Sequence, residues 1–508
     1  MTIKTARNIA TGSQRQWGTR SIPSWLPISL LMVFSAALFF YRLDGEGLWL
    51  DELTSVEDSS LAPWAAFKEN QLRPLYYFLL MGWMRLGSGD AWLRSLSVIF
   101  ALISVFLVYR LGRRLSGEAT GLLAALMLAV SPSFLNHTQE IRMYVLSLCL
   151  GVAGSLCLAN ILLIERSKKP EQKPEQKPEQ KFFAGWALFR LLAIYTVPLN
   201  VTLLLPDVLM IWLRFRKERS VLFNAAKWLL LLGLLWIPAL QSVIAEASPS
   251  SSYASHHASA QPPSIAALIR PLKFLTVWPF AVQENAIVAL FYKLFTPLLV
   301  ALAAAGLIRK HRSPALFWAF AWLILPVLPI IAFSYLSVPI WVNRYLLFVS
   351  PYLFILLAAG FVRLWQQWRI AAVVMATLYL LAVSGGVVHH YTSQERPDYK
   401  FNIATIEQYE QPGDAVVWGY YYTKPLRYYY DGQSEVYPLS VRDVETPEDV
   451  QAWIAALPVE RDRIWLAGEG SEITEPIESE IRKLYSIEQT FDYERGSKVM
   501  LLNRLDLT

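Results

Sequence analysis

Cysteine is almost missing from this chain: among 508 residues only Cys149 and Cys157 occur. They lie eight positions apart in one apolar segment, and about 12 Å of helical rise between them is too far for a disulfide. No cysteine framework holds the fold together, and cysteine usage leaves the redox compartment open. Zinc-type ligand spacing is missing as well. His256 and His257 stand side by side in a serine-rich stretch and His389 and His390 close an apolar run, neither pair with a cysteine or a spaced carboxylate beside it. Neither GxxxxGKS/T nor GxGxxG occurs, which argues against direct nucleotide hydrolysis. Charge is scarce too, at 17% of residues against 55% hydrophobic. A soluble domain of this size carries more charge, so most of the chain belongs in lipid.

What is present is a series of apolar runs. Hydropathy predicts spans near 25–42, 92–110, 119–136, 143–163, 182–197, 199–213, 225–243, 287–308, 315–334, 344–362 and 371–388, about eleven in all. The 19 Trp and 24 Tyr suit aromatic belts at both interfaces. The basic tracts are the tail with Lys4, Arg7, Arg15 and Arg20, then Arg110 with Arg113 and Arg114, the 165–181 loop, Arg214 to Arg219, Arg309 to Arg312, and Arg363 to Arg369. With eleven spans they fall on one side, the cytoplasm by the positive-inside rule, and they form no stripe of the kind that binds nucleic acid. Parity then puts 43–91, the turn at Glu140, 244–286, 335–343 and everything after 389 outside the cytoplasm. The basic tail 1–24 and the run from Trp25 read as a retained anchor rather than a cleaved signal, because no small-residue cleavage pattern follows.

Two segments are locally polar. KKPEQKPEQKPEQK at 168–181 has no apolar residue and reads as a flexible cytoplasmic connector, and SPSSSYASHHASAQPPS at 248–264 reads as a mobile outer loop able to order over a substrate. From about 389 to 508 the composition changes. A PGD turn, VVWGY, DRIWLAGEG and KVMLLNRL alternate with helical stretches such as VQAWIAALP, which predicts an extracytoplasmic α/β domain with its own core.

Carboxylates at span ends on one face are candidates for a catalytic centre at the membrane surface. Asp51 and Glu52 follow the first run in LWLDE, and Glu140 follows the third in HTQEIRMY. The alternative for each is a helix cap at the interface. Arg73, Arg94 and Arg142 put positive charge on the outer face, where the positive-inside rule does not require it. The guanidinium fork matches phosphate oxygens, and ion pairs to Asp51, Glu52 or Glu140 are the competing explanation. Arg344 with Tyr345 and Asn343 opens the tenth run as a further phosphate candidate or a plain interfacial anchor. A helix starting near 138 places Glu140 and Tyr144 on one face, beside Gln139, with Arg142 pointing elsewhere. Tyr76 and Tyr77 belong to the aromatic knot after QLRP.

GLWLDE, the stretch from Arg73 to Gly117, SPSFLNHTQEIRMY and NRYLLFVSPY together resemble the GT-C superfamily of polyprenyl-phosphate-dependent glycosyltransferases, and within it glycosyltransferase family 39 of the protein mannosyltransferase and aminoarabinose transferase type. The resemblance covers roughly residues 25–362. It implies a polytopic α-helical GT-C fold and transfer of a hexosyl or pentosyl group, with inversion, from a polyprenyl-phosphate donor to a protein, lipid or glycan acceptor outside the cytoplasm. It implies Asp51 as the base, with Glu52 and Glu140 as its acidic partners. Its lipid-phosphate arginines match Arg142 and Arg344; with these, Arg73 and Tyr345 are candidate donor-phosphate contacts from their placement, and Tyr76, Tyr77, Gln139, Tyr144 and Asn343 candidate substrate or acceptor contacts. Some relatives use a divalent ion, Mg2+, Mn2+ or Zn2+, and others do not; Glu52, Glu140 and His257 are the candidate ligands here. The histidine-proline-proline version of the first-loop motif reads Gln71, Leu72, Arg73 and Pro74 in this chain. Two rival readings remain: a lipid-linked-sugar transporter or flippase, favoured by charge in the middle of several spans, and a non-catalytic envelope assembly protein.

Overall fold

The computed structural model describes residues 23, 25–163, 177–246, 263–277, 286–308, 315–337, 339–393, 397–442, 444–493 and 496–505. Its first helices are α1 (Trp25–Phe40), α2 (Leu50–Ser60), α3 (Pro63–Glu69), α4 (Pro74–Met84), α5 (Asp90–Ser116), α6 (Glu118–Ala129), α7 (Pro132–Thr138), α8 (Tyr144–Leu162) and α9 (Lys177–Thr196). Proline opens α3, α4 and α7 at the first helical turn, where its missing N–H costs nothing. In α5, Asp90 in the first turn and Arg113 and Arg114 in the last complement the helix dipole.

Among the described residues eight helices are long and apolar enough to cross a membrane, or nine if α6 and α7, bent by 64° at their junction, form one broken span. This corrects the expected eleven. The first run yields only the 16-residue α1. The run at 182–197 belongs to α9, where Lys177, Glu179, Lys181 and Arg190 dilute the apolar stretch. That helix also begins inside the supposed connector, so 177–181 is helical.

Burial sorts the spans into two shells. In the most apolar window 83% of α8 is buried, and 89% of the Asn343–Gln367 span, against 11% of Arg219–Ala245. The inner helices touch protein on all sides while the outer ones turn Leu230, Leu234, Ile237 and Ile244 outward, as lipid-facing helices do. Close packing inside depends on small residues. A Cβ at Gly360 would collide with the Leu302 carbonyl of the neighbouring helix Ala286–Leu307. One buried ion pair lies within this shell: Arg190 Nε donates to Asp207 Oδ2 at 2.6 Å, the indoles of Trp186 and Trp322 donate to the same carboxylate at 2.7 Å each, and Arg190 Nη1 donates to the Gly151 carbonyl.

After the last span, Arg369–Thr392, the helix Tyr399–Tyr409 leads into an extramembranous five-stranded mixed sheet of β1 (Ala415–Trp418), β2 (Glu435–Pro438), β3 (Arg463–Glu469), β4 (Tyr485–Asp492) and β5 (Ser497–Arg504), in the order β2-β1-β3-β5-β4. β1 runs parallel to β2 and β3, and β5 antiparallel to β3 and β4. Every residue of β1 is buried, as in strands covered on both faces. The two faces have different partners. Ala415, Val417, Ile464, Leu466, Met500 and Leu502 pack with the helices Pro447–Ala455 and Glu475–Leu484, whereas Val416, Trp418, Trp465, Ala467, Val499 and Leu501 join the core that continues into the helical bundle. The predicted domain therefore shares half of its core with the membrane unit.

Candidate active site

The site is assembled where α2, the turn between α7 and α8, and the 3₁₀ turn Asn343–Val349 meet. Asp51 lies in the first turn of α2, where a carboxylate is favoured by the free N–H groups. Its side chain keeps 30% exposure, and Oδ2 is 3.4 Å from Arg142 Nη2. Arg142 Nη1 also donates to the Asp51 carbonyl at 3.1 Å and to Ser55 Oγ at 3.2 Å. Burial works against the Arg142 charge, but the fields of Tyr144, Asp51, Tyr77 and Glu140 outweigh it, so its pKa is raised and the guanidinium stays protonated.

Residues 139–143 are a turn, not the start of a helix, so Glu140 and Tyr144 do not share a helical face. This corrects the sequence expectation and reverses its consequence: Arg142, expected to point away, is the residue that reaches Asp51.

Glu52 lies one residue on and is fully buried. Oε1 accepts from Arg94 Nε and from the Ile141 N–H, both at 2.9 Å, and Oε2 accepts from Arg94 Nη2 at 2.8 Å and the Trp49 N–H at 3.3 Å. Arg94 also donates to the carbonyls of Leu43, Glu46 and Gly47. Of the two explanations for Arg94, the ion pair holds, and the phosphate role expected of it gives way to a clamp between α5, the 43–49 loop and α2. Glu140 is likewise buried, 2.6 Å from His137 Nδ1, while its carbonyl accepts from Ser97 Oγ. Sequence pattern alone does not single out His137. A signal for it lies in the i, i+3 spacing of HTQE, which brings its ring onto the carboxylate at the end of α7.

The cationic groups gather around two tyrosines. Arg142 lies 5.9 Å from the Tyr144 ring centroid, Arg344 lies 5.8 Å from that of Tyr345, and the two rings are 6.2 Å apart. The buried Nε atoms of both arginines lack a hydrogen-bond partner among the described residues. Arg73, Tyr144 and Tyr345 line one cavity of about 350 Å³ whose remaining wall is almost wholly apolar, including Leu199, Trp236, Pro329 and Phe333. Among the described residues no carboxylate lies within ion-pair distance of Arg73 or Arg344, and Arg142 is paired with Asp51. A half-buried surplus of this kind favours an anion.

The other expected contacts are placed as follows. Tyr76 and Tyr77 are buried on α4, their rings 5.9 Å apart, with Tyr77 in the field of Arg142. Asn343 begins the turn that carries Arg344 and Tyr345. Gln139 is spent on structure: its Nε2 donates to the Phe39 and Tyr41 carbonyls, and its Oε1 pairs with His390 Nε2 at 2.8 Å. Among the described residues no group of three or more His, Cys, Asp or Glu side chains is arranged to hold a metal ion. Of the candidate ligands, Glu52 is paired with Arg94, Glu140 lies against His137, and His257 lies outside the described residues.

Residues 72–169 match the family model of dolichyl-phosphate-mannose-protein mannosyltransferases. No curated protein sequence matches the chain. Among solved structures, the chain is similar to ArnT from Cupriavidus metallidurans bound to undecaprenyl phosphate, with a TM-score of 0.54 and 13% identity over 95% of this chain and 98% of that one. It is also similar to the apo form of the Archaeoglobus fulgidus oligosaccharyltransferase, with a TM-score of 0.52 and 10% identity over 96% of this chain and 75% of that one. At such identities the likeness speaks for the fold. The chain thus shares the fold of these two structures, and its segment 72–169 is similar to the dolichyl-phosphate-mannose-protein mannosyltransferases.

Proposed function

We propose that this protein transfers a sugar, with inversion, from a polyprenyl-phosphate donor to an acceptor on the extracytoplasmic side of the membrane. The observation that carries the reading is an apolar cavity lined by Arg73, Tyr144 and Tyr345, with Arg142 and Arg344 beside those two rings and the partly exposed Asp51 held against Arg142. A prenyl chain suits the apolar wall, and the phosphate suits the arginine fork. The similar ArnT structure, which holds undecaprenyl phosphate, supports a donor of this class.

In the reaction the acceptor heteroatom attacks the anomeric carbon, the bond from that carbon to the phosphate oxygen breaks, and the acceptor proton passes to Asp51. The leaving phosphate gains a negative charge that the guanidiniums stabilise, and one displacement inverts the anomeric centre. Glu52 and Glu140 act as holders of Asp51 and Arg142 rather than as second bases.

The transporter alternative requires charge along a path through the spans. The charged pair Arg190 and Asp207 is the candidate, but its oxygens and nitrogens are saturated by Trp186, Trp322, Ser155 and the Gly151 carbonyl. That supports a structural tie.

The test is turnover of radiolabelled undecaprenyl-phosphate hexoses and pentoses by the purified protein with envelope lipid, glycan and protein acceptors. Loss of transfer in Asp51→Asn supports the reading, and undiminished transfer in that variant removes the base.

A further inference from the structure

The helix that carries Asp51 is gripped from the aqueous side as well as from below. Tyr429, on the short helix Lys424–Tyr429 that follows β1, accepts a hydrogen bond from the Leu48 N–H at 2.7 Å and donates to Asp90 Oδ2 at 3.0 Å. Lys400 also reaches Asp90, at 2.8 Å. At this point Gly47 lies so close beneath Lys400 that a Cβ on it would come within 2.8 Å of Lys400 Cβ. Two turns further along α2, Lys424 Nζ is 2.7 Å from Glu57 Oε2 and donates to Thr54 Oγ1 at 3.1 Å, while Arg427 Nη1 is 3.0 Å from Glu57 Oε1. The segment 47–57 is thus held at both ends by the C-terminal domain, with Asp51 between the two grips.

The gripping arm is itself rigidly based. Trp418 Nε1 donates to the Tyr422 carbonyl at 2.9 Å, closing the loop after β1. Tyr420 OH accepts from Asn402 Nδ2 at 2.7 Å and donates to Ser497 Oγ at 3.0 Å, tying the arm to the helix Tyr399–Tyr409 and to β5. Pro425 and Leu426 are buried. An arm anchored on a sheet and ended by two cations on one carboxylate suits holding a helix in register.

We propose that the arm Trp418–Tyr430 is a brace that sets the pose of α2, and that Lys424 and Arg427 are positioning residues for Asp51. Their contacts among the described residues are with Glu57, Thr54 and Thr423, not with Asp51. They act through Glu57 and Thr54, which keep α2 from rocking about the buried Glu52–Arg94 clamp and so keep Asp51 beside Arg142. The consequence for turnover rests on the transferase reading above, whereas the mechanical part does not.

The experiment uses the full-length protein in detergent micelles and the variants K424M/R427M and K424R, followed by amide hydrogen exchange, undecaprenyl phosphate binding and sugar transfer. In K424M/R427M, exchange of the amides of 50–57 is expected to speed up by about tenfold with the spans unchanged. Displacement of the base is expected to lower kcat by about tenfold or more, while the dissociation constant for undecaprenyl phosphate moves less than about twofold. K424R keeps both grips and stays near wild type. Unchanged exchange at 50–57 overturns the brace, whatever happens to transfer. Faster exchange with an unchanged kcat overturns the positioning role. If the wild type transfers no sugar from any donor, the transferase reading fails by itself, and the exchange measurement still decides the brace.

Discussion

Asp51 and Glu52 are adjacent in sequence, yet the structure assigns them opposite parts, and substituting each in turn separates those parts. Glu52→Gln keeps the shape of the side chain and removes its charge. What it leaves behind is the guanidinium of Arg94, buried with only 4% of its side chain exposed and 2.8 Å from the lost carboxylate oxygen. At that distance the attraction is about 6 kcal/mol with an effective dielectric constant near 20, most of it offset by the cost of taking both charges out of water. Removing one partner alone forfeits the attraction and keeps the desolvation, a destabilisation of about 3–5 kcal/mol. The Ile141 N–H loses a charge-assisted acceptor as well. Glu52→Gln is therefore expected to lower the thermal unfolding midpoint of the detergent-solubilised protein and to lose transfer in proportion to lost folded protein. Asp51→Asn, at a partly exposed position, is expected to leave the midpoint near wild type and cut kcat by about 10²–10⁴-fold, the range of a general base. Thermal unfolding and transfer assays on the two variants, corrected for the folded fraction, decide the matter. A Glu52→Gln protein with the wild-type midpoint and no transfer would refute the assignment.

Three other outcomes follow from the same geometry. Arg344→Ala and Arg142→Ala each remove a charged donor worth about 1.5–3 kcal/mol, so undecaprenyl phosphate binding is expected to weaken by about tenfold to a hundredfold, measured by titration calorimetry, with Arg344→Lys intermediate because it lacks the fork. Val201→Trp fills the apolar cavity and is expected to weaken binding of long polyprenyl phosphates more than that of a short-chain analogue, in competition assays. Burial of Glu410 opposes its charge, but hydrogen bonds from Ser434, Tyr430 and the Gln433 N–H prevail and hold its pKa below the usual value. A depressed carboxylate contributes stability above its unfolded pKa and loses it as pH falls through the folded one. The wild type is thus expected to exceed Glu410→Gln in thermal midpoint at neutral pH, and the gap to close as the solution is taken below the carboxylate range.

Much of this protein was legible from one dimension. The scarcity of charge and the apolar runs required a polytopic helical protein, since only internally bonded helices satisfy their backbone in lipid. The change of composition after residue 389 announced a mixed α/β domain because buried parallel strands need continuous apolar runs such as AVVW. LWLDE and the outer arginines pointed to the region of the candidate site. The number of spans was not legible, because α1 is too short, α9 mixes charge into its apolar stretch, and α6 and α7 break at a proline.

Tertiary structure alone divided the acidic and basic residues into partners. Local pattern placed Glu52 and Asp51 side by side without dividing their parts, and Arg94 and Arg142 with the same local claim to a phosphate; only the resemblance favoured Asp51 and Arg142. Which carboxylate remains available depends on Arg94 arriving from α5, 42 positions away, and which arginine remains near it depends on the turn at 139–143. Likewise no local pattern shows that one face of the C-terminal sheet belongs to the membrane core, or that Lys424 meets Glu57 across 367 positions of chain. Such pairings are long-range: periodicity and propensity fix the direction a side chain leaves its own backbone, but the partner it meets is set by how distant elements pack.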